Sequence, residues 1–495
     1  MLLADSWSGG MKCLLATMVF SSVMSPTAAQ AVDYTSITTS KGDRLPDFSY
    51  AGYHSSNIDL PSINSPANSA LSPTFGDQTA RIQAALDSLS DTGGGVLLLA
   101  EGNYDLDSTI TIPAGTVLRG SGPDKTSLLA KSAATDLITL GGQVANPRIT
   151  PVTNITDSYV PIGSSTFSVA DASKLNIGQT IMVQRAVTDA WVTAMGMGDL
   201  VRNDKKQTWI AAGKLVQQPR TITAIANNNI SIDIPLTDSL DLEYMEGVVA
   251  SYTPPSAFSE SGIENLAITL SPSCSGRVLS DTTCNSSAVA VSSWTTDSWI
   301  RNLNLTGFNF FITLYKNATR ITIDSVSMTR DQDSDVTAGL PEDIVIQGSQ
   351  VLVSNCSSHG TPGARAFPVV TGSLVAGPNA VMNHFTEVPG NFIAPHQRWA
   401  HGLLVENSQT SLKLYNRGTM GSGQGWTINA GVAWNVVGQD ILVDSPPLGV
   451  NWCIGCVGTG SIGGNGSFVS QNQTVMPESL FWTQLAARGI VRSTS

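Results

Sequence analysis

A chain of 495 residues with 13% charged side chains and a formal charge of −12 is long enough for a large core, in one elongated domain or two compact ones. The acidic balance excludes a nucleic-acid partner, which needs a basic footprint, and an acidic polymer would have to meet a local positive patch. No stretch beyond the N-terminal segment is long and apolar enough to cross a membrane.

Met11-Lys12, the apolar run Cys13 to Phe20 and the small-x-small site Ala29-Gln30-Ala31 read as a secretory signal peptide over residues 1–31. The mature protein is expected to be secreted and extracellular. Sequons at Asn154, Asn229, Asn285, Asn304, Asn317, Asn355, Asn465 and Asn472 fit a glycoprotein on that route. In an oxidising compartment Cys274 and Cys284 read as a loop-closing disulfide, and Cys453 and Cys456 as either a short disulfide or two buried thiols. The odd count leaves at least one thiol unpaired. Zinc is not expected, because the neighbourhood of Cys453 and Cys456 lacks partner ligands.

Residues 32–74 are rich in Ser, Pro, Asn and Asp and show no period, so they read as an arm on the surface of the main domain. Asp77 then begins a helix with Ile82, Ala85, Leu86 and Leu89 on one face, ended by Gly93-Gly94-Gly95. Val96 to Leu99, Ser108 to Ile112 and Thr116 to Gly120 follow as very short strands separated by tight turns, the pattern of a chain coiling into a solenoid. Residues 150–250 interrupt it: Thr166 to Val169, Thr180 to Val183 and Ile230 to Ile234 alternate like antiparallel strands, around a segment mixing Trp191 and Trp209 with Lys205, Lys206 and Arg220. This is read as an inserted β subdomain, whose tryptophans either pack it on the solenoid or stack on sugar. The coil then resumes from Ile263, with Asn265, Asn302, Asp324, Asn355, Asn383 and Asn407 recurring every 22 to 37 residues. These polar landmarks are expected to stack as an internal ladder that satisfies backbone at the turns.

The segment GDQTARIQAALDSLSDTGGGVLLLAEGNYDLDSTITIPAGTVLRGSG, residues 76 to 122, resembles the opening of the pectate-lyase superfamily. The resemblance implies an all-β fold from residue 75 to the C-terminus: a single right-handed parallel β-helix with an N-terminal capping helix and the insert. Lyases, hydrolases, epimerases and phage tailspikes share that opening, so it implies no single reaction. RAFPVVTGSLVAGPN, PHQRWAHGLLVEN, GWTINAGVAWNV and SPPLGVNWCIGCVG, between residues 365 and 458, resemble a secreted pectate-lyase-like subgroup. The Arg-x-Pro-x-x-Arg segment of the pectate lyases proper is missing, as is the carboxylate set of the polygalacturonase-type hydrolases, and Ser358-His359-Gly360 is only a partial echo of the latter. Neither mechanism carries over residue by residue.

Four of the five histidines, His359, His384, His396 and His401, fall in one window with Arg365, Glu387, Arg398, Trp399 and Glu406. Perturbable groups gather where chemistry is done. If Leu403, Val405 and Asn407 face inward, strand parity turns Trp399 and His401 inward and His396 and Arg398 outward. Elimination next to a uronate carboxylate needs a cation on the carboxylate, a base, and an acid for the leaving oxygen. Arg365, Arg398, His396 and Tyr415 can fill those roles without a metal, with His359 and His401 bordering them and Trp399, Glu387, His384, Trp191 and Trp209 as contacts to the sugar chain. The expected function is a polysaccharide lyase acting on a uronate-containing polymer. The alternatives are a glycoside hydrolase using Asp331, Asp333, Asp335, Glu342 and Asp343, which would need two carboxyls across the bond, and a non-catalytic glycan-binding or adhesive β-helix. No cofactor is expected; calcium is the one candidate, at the acidic loop from Thr329 to Asp335, which lacks the glycine and terminal glutamate of a calcium loop. The expected partner is a polysaccharide, with self-association left open.

Overall fold

The computed structural model describes residues 29–255 and 258–492. The leader expected over residues 1–31 lies outside them except at its end, where Gln30–Ala31 pairs in parallel with Val475–Met476.

Short strands such as Gly95–Leu99 and Ile110–Ile112 have too little apolar surface to be stable singly, so they are buried by stacking one coil on the next. Each coil contributes in turn to three parallel sheets. Sheet A contains Gly95–Leu99, Thr116–Arg119, Ser349–Ser354, Ala376–Met382 and Ala400–Glu406. Sheet B begins with Gly102–Leu106 and Thr126–Ala130 and continues through the second halves of Gly262–Leu270, Thr296–Thr306 and Thr319–Arg330. Sheet C runs Ile110–Ile112, Ile138–Leu140, Ser287–Val291, Phe310–Leu314, Glu342–Ile346 and Phe367–Thr371. One inward column passes in register through Ile263, Ile300, Ile323, Val353, Val381, Val405, Ala433 and Cys453. All eight are buried in a single core, each large aliphatic contributing about 1.5–3 kcal/mol. The helix Thr79–Asp91 packs onto the first coil through Ile82, Leu86 and Leu89, and Asp77, one residue ahead of its cap, accepts the Thr79 N–H at 3.0 Å.

The corner from sheet A to sheet B needs one residue in the left-handed region, which asparagine tolerates better than most side chains. Asn265, Asn302, Asn355, Asn383 and Asn407 all sit there, with φ between 47° and 63°. Asn302 Nδ2 donates to Asn265 Oδ1 (2.7 Å) and Asn383 Nδ2 to Asn355 Oδ1 (3.0 Å). The ladder lies on the outer rim, not inside: Asn355 and Asn383 are exposed. Asp324 precedes its corner by one residue; Ser325 takes the left-handed position, and Asp324 accepts from Asn355 Nδ2 (2.9 Å).

The outer face of sheet A is covered. Leu45, Phe48 and Ala51 of the N-terminal arm and Leu480, Phe481 and Leu485 near the C-terminus pack on Leu352, Ala380, Met382, Leu404 and Trp434. Buried Glu264 holds Arg119 (2.6 Å) and Arg301 (2.8 Å), and their guanidiniums donate to the arm carbonyls of Ser65 and Pro61. Glu406 points outward into this covering and accepts the N–H groups of Leu480 (2.9 Å) and Phe481 (3.1 Å) at the start of the helix Leu480–Ala487. Burial pushes its carboxyl up to about 7, from an ordinary 4.5. The folded chain therefore holds this proton more tightly than the unfolded one. The corresponding stability is full below pH 4.5 and is lost as pH rises through 7, a difference of about 3 kcal/mol. Melting temperatures of wild type and Glu406→Gln, compared from pH 4.5 to 7.5, should therefore differ in pH slope; parallel curves would refute the assignment.

Residues 150–251 leave the solenoid at the corner between sheets C and A. They form an antiparallel sheet in the order Thr166–Ser168, Asn229–Ile232, Leu215–Ala226, Thr180–Ala186, Gly247–Ser251, Thr150–Asn154. Phe167, Ile181, Val183, Ile222 and Ile230 form its own core. Cys274 is disulfide-bonded to Cys284 and Cys453 to Cys456, while Cys356 is a buried free thiol.

Candidate functional site

Inward parity holds for Leu403 and Val405 but fails just before them. Gly402 adopts φ 73°, a bulge that keeps Ala400 in the core and turns His401 outward against the insert. There His401 Nδ1 meets Thr237 Oγ1 at 2.7 Å, and burial holds the ring neutral, down to about 4. Trp399 also turns outward. It packs edge-on against Trp191 and Trp209, and all three are at most 2% exposed. Trp399, Trp191 and Trp209 are therefore not sugar platforms: they glue the insert to the solenoid. Beneath them Asp238 accepts from Arg185 Nε (2.8 Å), Trp399 Nε1 (3.1 Å) and Asn429 Nδ2 (2.9 Å). Burial alone would raise the Asp238 carboxyl, but Arg185, with His401 and Asn429, brings it below the ordinary aspartate range.

The remaining histidines occupy separate places. His384 is buried, with Nε2 3.3 Å from Ser358 Oγ, and burial lowers it to about 3, so it is a core residue and touches no solvent-borne ligand. His359 pairs with Glu387 (3.0 Å) and Ser357 (2.8 Å) on the rim of sheet B. Arg365 is spent on Asn391 Oδ1 (3.2 Å) and the Gly390 carbonyl at the corner between sheets B and C. Arg398 donates to the carbonyl (3.0 Å) and hydroxyl (2.7 Å) of Ser422, in the turn after the strand Ser411–Leu414. Arg365, His396 and Arg398 thus do not form one cluster.

His396 instead gathers a different set. Its backbone N–H bonds Thr371 O, which extends sheet C. Its Nδ1 lies 3.0 Å from Glu342 Oε1, at ion-pair distance though out of line for a hydrogen bond, and both side chains are 18% exposed. Phe367 faces the His396 ring edge-on (5.1 Å between centroids) and Phe392 stands edge-on to Phe367 (5.2 Å). Lys413 Nζ sits over Phe392, and the Arg417 guanidinium, which donates to His396 O at 2.7 Å, lies 5.9 Å from the Phe367 ring. Burial pushes the Tyr415 phenol up, against the pull of Arg417. Arg417 in turn is lowered by burial and supported by Tyr415 and Glu342. The outer side of sheet C therefore carries a His–Glu pair, a guanidinium, a phenol and an ammonium around an aromatic floor. Sequence reasoning placed His396 and Tyr415 here, considered Glu342 only for hydrolysis, and missed Arg417, Lys413, Phe367 and Phe392. Arg417, two residues from Tyr415, was the one available signal.

The carboxylates proposed for hydrolysis are dispersed. Asp343 is buried against Arg330 (2.6 Å), and burial raises it in spite of that cation. Asp331 accepts from Ser273, Asp333 from Thr361, and Asp335 caps Val336–Ala338 through the Thr337 N–H. Among the described residues, no group of three or more His, Cys, Asp or Glu converges as a metal would require.

No protein-family model matches the sequence, and no curated protein matches it. Among solved structures it is similar to the Gp54 tailspike of Acinetobacter baumannii bacteriophage AP22, determined with a capsular saccharide, at 12% identity over 90% of this chain and 77% of that one, with a TM-score of 0.30. It is similar to PfbA, a surface adhesin of Streptococcus pneumoniae, at 11% identity over 80% and 79%, with a TM-score of 0.42. It is also similar to the A-module of the Azotobacter vinelandii mannuronan C-5 epimerase AlgE4, at 9% identity over 83% and 97%, with a TM-score of 0.31. Such distant likeness concerns the fold alone. On the strand order and register described above, the chain is an all-β protein built as a parallel β-helix.

Proposed function

We propose that this is a secreted, polysaccharide-acting enzyme, and that it cleaves a uronate-containing polymer by β-elimination on the outer side of sheet C. The observation that supports this reading is the partly exposed His396–Glu342 pair, set among Arg417, Tyr415 and Lys413 on an aromatic floor. A bound uronate would place its carboxylate against Arg417 or Lys413, which stabilises the negative charge that develops when the adjacent carbon loses its proton. His396 takes that proton through Nε2, with Glu342 orienting the ring from Nδ1. The C–H electrons form the new C=C bond, the bond to the leaving oxygen breaks, and that oxygen takes a proton from the Tyr415 hydroxyl. Phe392 offers an apolar face to a sugar ring, and the buried Phe367 supports it from below. The leader-like N-terminal sequence and the two disulfides fit an oxidising, extracellular compartment. In relatives of this fold, the tailspike holds a capsular saccharide and the epimerase is named for mannuronan, which is consistent with a polysaccharide ligand.

Incubation with a panel of acidic and neutral polysaccharides tests the reading. The expected products absorb in the ultraviolet through a new double bond. Reducing ends without that absorbance would mean hydrolysis, and retention without cleavage would mean a binding protein; either outcome overturns the elimination.

A further inference from the structure

The insert overhangs the solenoid at the corner between sheets C and A, and a cleft of about 400 Å³ lies between them. That is within the range of small-ligand sites, about 300–1,000 Å³. On one side stand Arg220 and Asp233 of the insert, with Tyr252 just after it. On the other are the C-to-A turns of four successive coils, which supply Trp294, then Lys316 and Arg320, then Gln350, then Leu374. Coils stack about 4.8 Å apart, so the cleft runs about 14 Å along the solenoid, the shape of a short oligosaccharide. Trp294, Arg320, Gln350 and Leu374 all have φ between 55° and 67°, left-handed backbone that is rare for such side chains and repeats along this one wall.

Arg220 is the feature that calls for a ligand. It is 2% exposed, yet no carboxylate lies within ion-pair distance of it among the described residues. Its Nη atoms reach Pro219 O (2.7 Å), Gln218 Oε1 (3.3 Å) and Pro235 O (3.0 Å), while Nε has no partner. Desolvation pulls this guanidinium down to about 10. A buried cation with no carboxylate in contact, helped only at a distance by Asp233, is costly, and an anion entering the cleft would relieve that cost. The charges at the cleft leave a balance of one positive, Arg220, Lys316 and Arg320 against Asp233 and Asp297. Asp297 is consumed by Arg320 (2.6 and 2.6 Å), and Asp233 Oδ1 already accepts the N–H groups of Thr221 and Ile234, both at 2.8 Å. Lys316 is exposed and carries no ion pair among the described residues. Burial pushes the Tyr252 phenol up to about 12, so it stays a hydroxyl, able to donate to a sugar oxygen beside the tilted Trp294 ring.

We propose that this cleft is a second saccharide site that binds a carboxylate-bearing sugar, separate from the cluster on sheet C. The proposal does not rest on catalysis at His396. Its test is calorimetric titration of the full-length His396→Ala protein with trigalacturonate, trimannuronate, the free monomeric uronates, and the methyl esters of the trimers. At least one uronate is expected to bind saturably at one site. Lys316→Glu and Trp294→Ala, each added to that background, are expected to weaken it at least tenfold, and esterification should do the same. Trimer binding without monomer binding assigns the site to a polymer chain, and equal binding assigns it to a free sugar acid; both support the proposal. Absence of saturable binding, equal binding of the neutral esters, or affinity unchanged in both variants overturns it. Arg220→Lys serves as a further variant if Trp294→Ala lowers the melting temperature, because it keeps the charge and removes the guanidinium fork.

Discussion

Asp238→Asn should be the most destabilising single change in the interface between insert and solenoid, by about 3–5 kcal/mol. Asp238 is fully buried and Arg185 is 2% exposed, so neutralising the carboxylate leaves a desolvated guanidinium facing an amide. The same carboxylate receives the Trp399 and Asn429 side chains, both from the solenoid, so the change also loosens the docking of the whole subdomain. Trp191, Trp209, Trp399 and Trp426 pack in that interface, which makes tryptophan emission a direct reporter of its opening. The red shift in denaturant should move to lower concentration in Asp238→Asn. Asp238→Asn with Arg185→Met should recover much of the loss, because apolar packing can replace a buried ion pair but not half of one. A single variant within about 1 kcal/mol of wild type, or a double variant no better than the single, would show that the pair does not hold the insert.

The solenoid was legible because its signals are local. Asparagine recurs at Asn265, Asn302, Asn355, Asn383 and Asn407 since each corner needs a left-handed residue, and that demand falls on one position at a time. The helix Thr79–Asp91 shows its apolar face at helical spacing for the same reason. Two steps of the site were not local. Parity assumes an unbroken two-residue period, and Gly402 breaks it, so Trp399 and His401 face the insert where the sequence reading put them in the core. Nothing around Trp191 or Trp209 announces that their partners are Trp399 and Trp426. Glu342 and His396 are far apart in sequence, and they meet only because sheet C stacks Glu342 on Phe367 and carries Thr371 beside His396. Scarcity of histidine found one member of the cluster. Its arginine, Arg417, lies in a turn one coil further on, at a distance that loop length alone decides.

His396→Gln should lower turnover on the polymer identified by the panel by about 10²–10⁴-fold, the usual contribution of a positioned general base. KM should change little, because the carboxylate and the sugar face are held by Arg417, Lys413 and Phe392. Folding should change little: the ring is partly exposed, and its edge-on contact with Phe367 is worth about 0.5–1.5 kcal/mol. Glu342→Gln removes the charge beside Nδ1 while keeping its shape, so it should lower kcat by less than His396→Gln. Arg417→Ala is the third arm. It should raise KM as well as lower kcat, since a guanidinium on the substrate carboxylate acts in both ground and transition states. The contrast with His384→Gln decides the assignment. His384 is buried, its ring lowered to about 3 and its side chain bonded, among the described residues, only to Ser358, so its loss should appear as instability with normal specific activity in the folded fraction. If His384→Gln abolishes turnover while His396→Gln spares it, the chemistry does not lie on the outer side of sheet C.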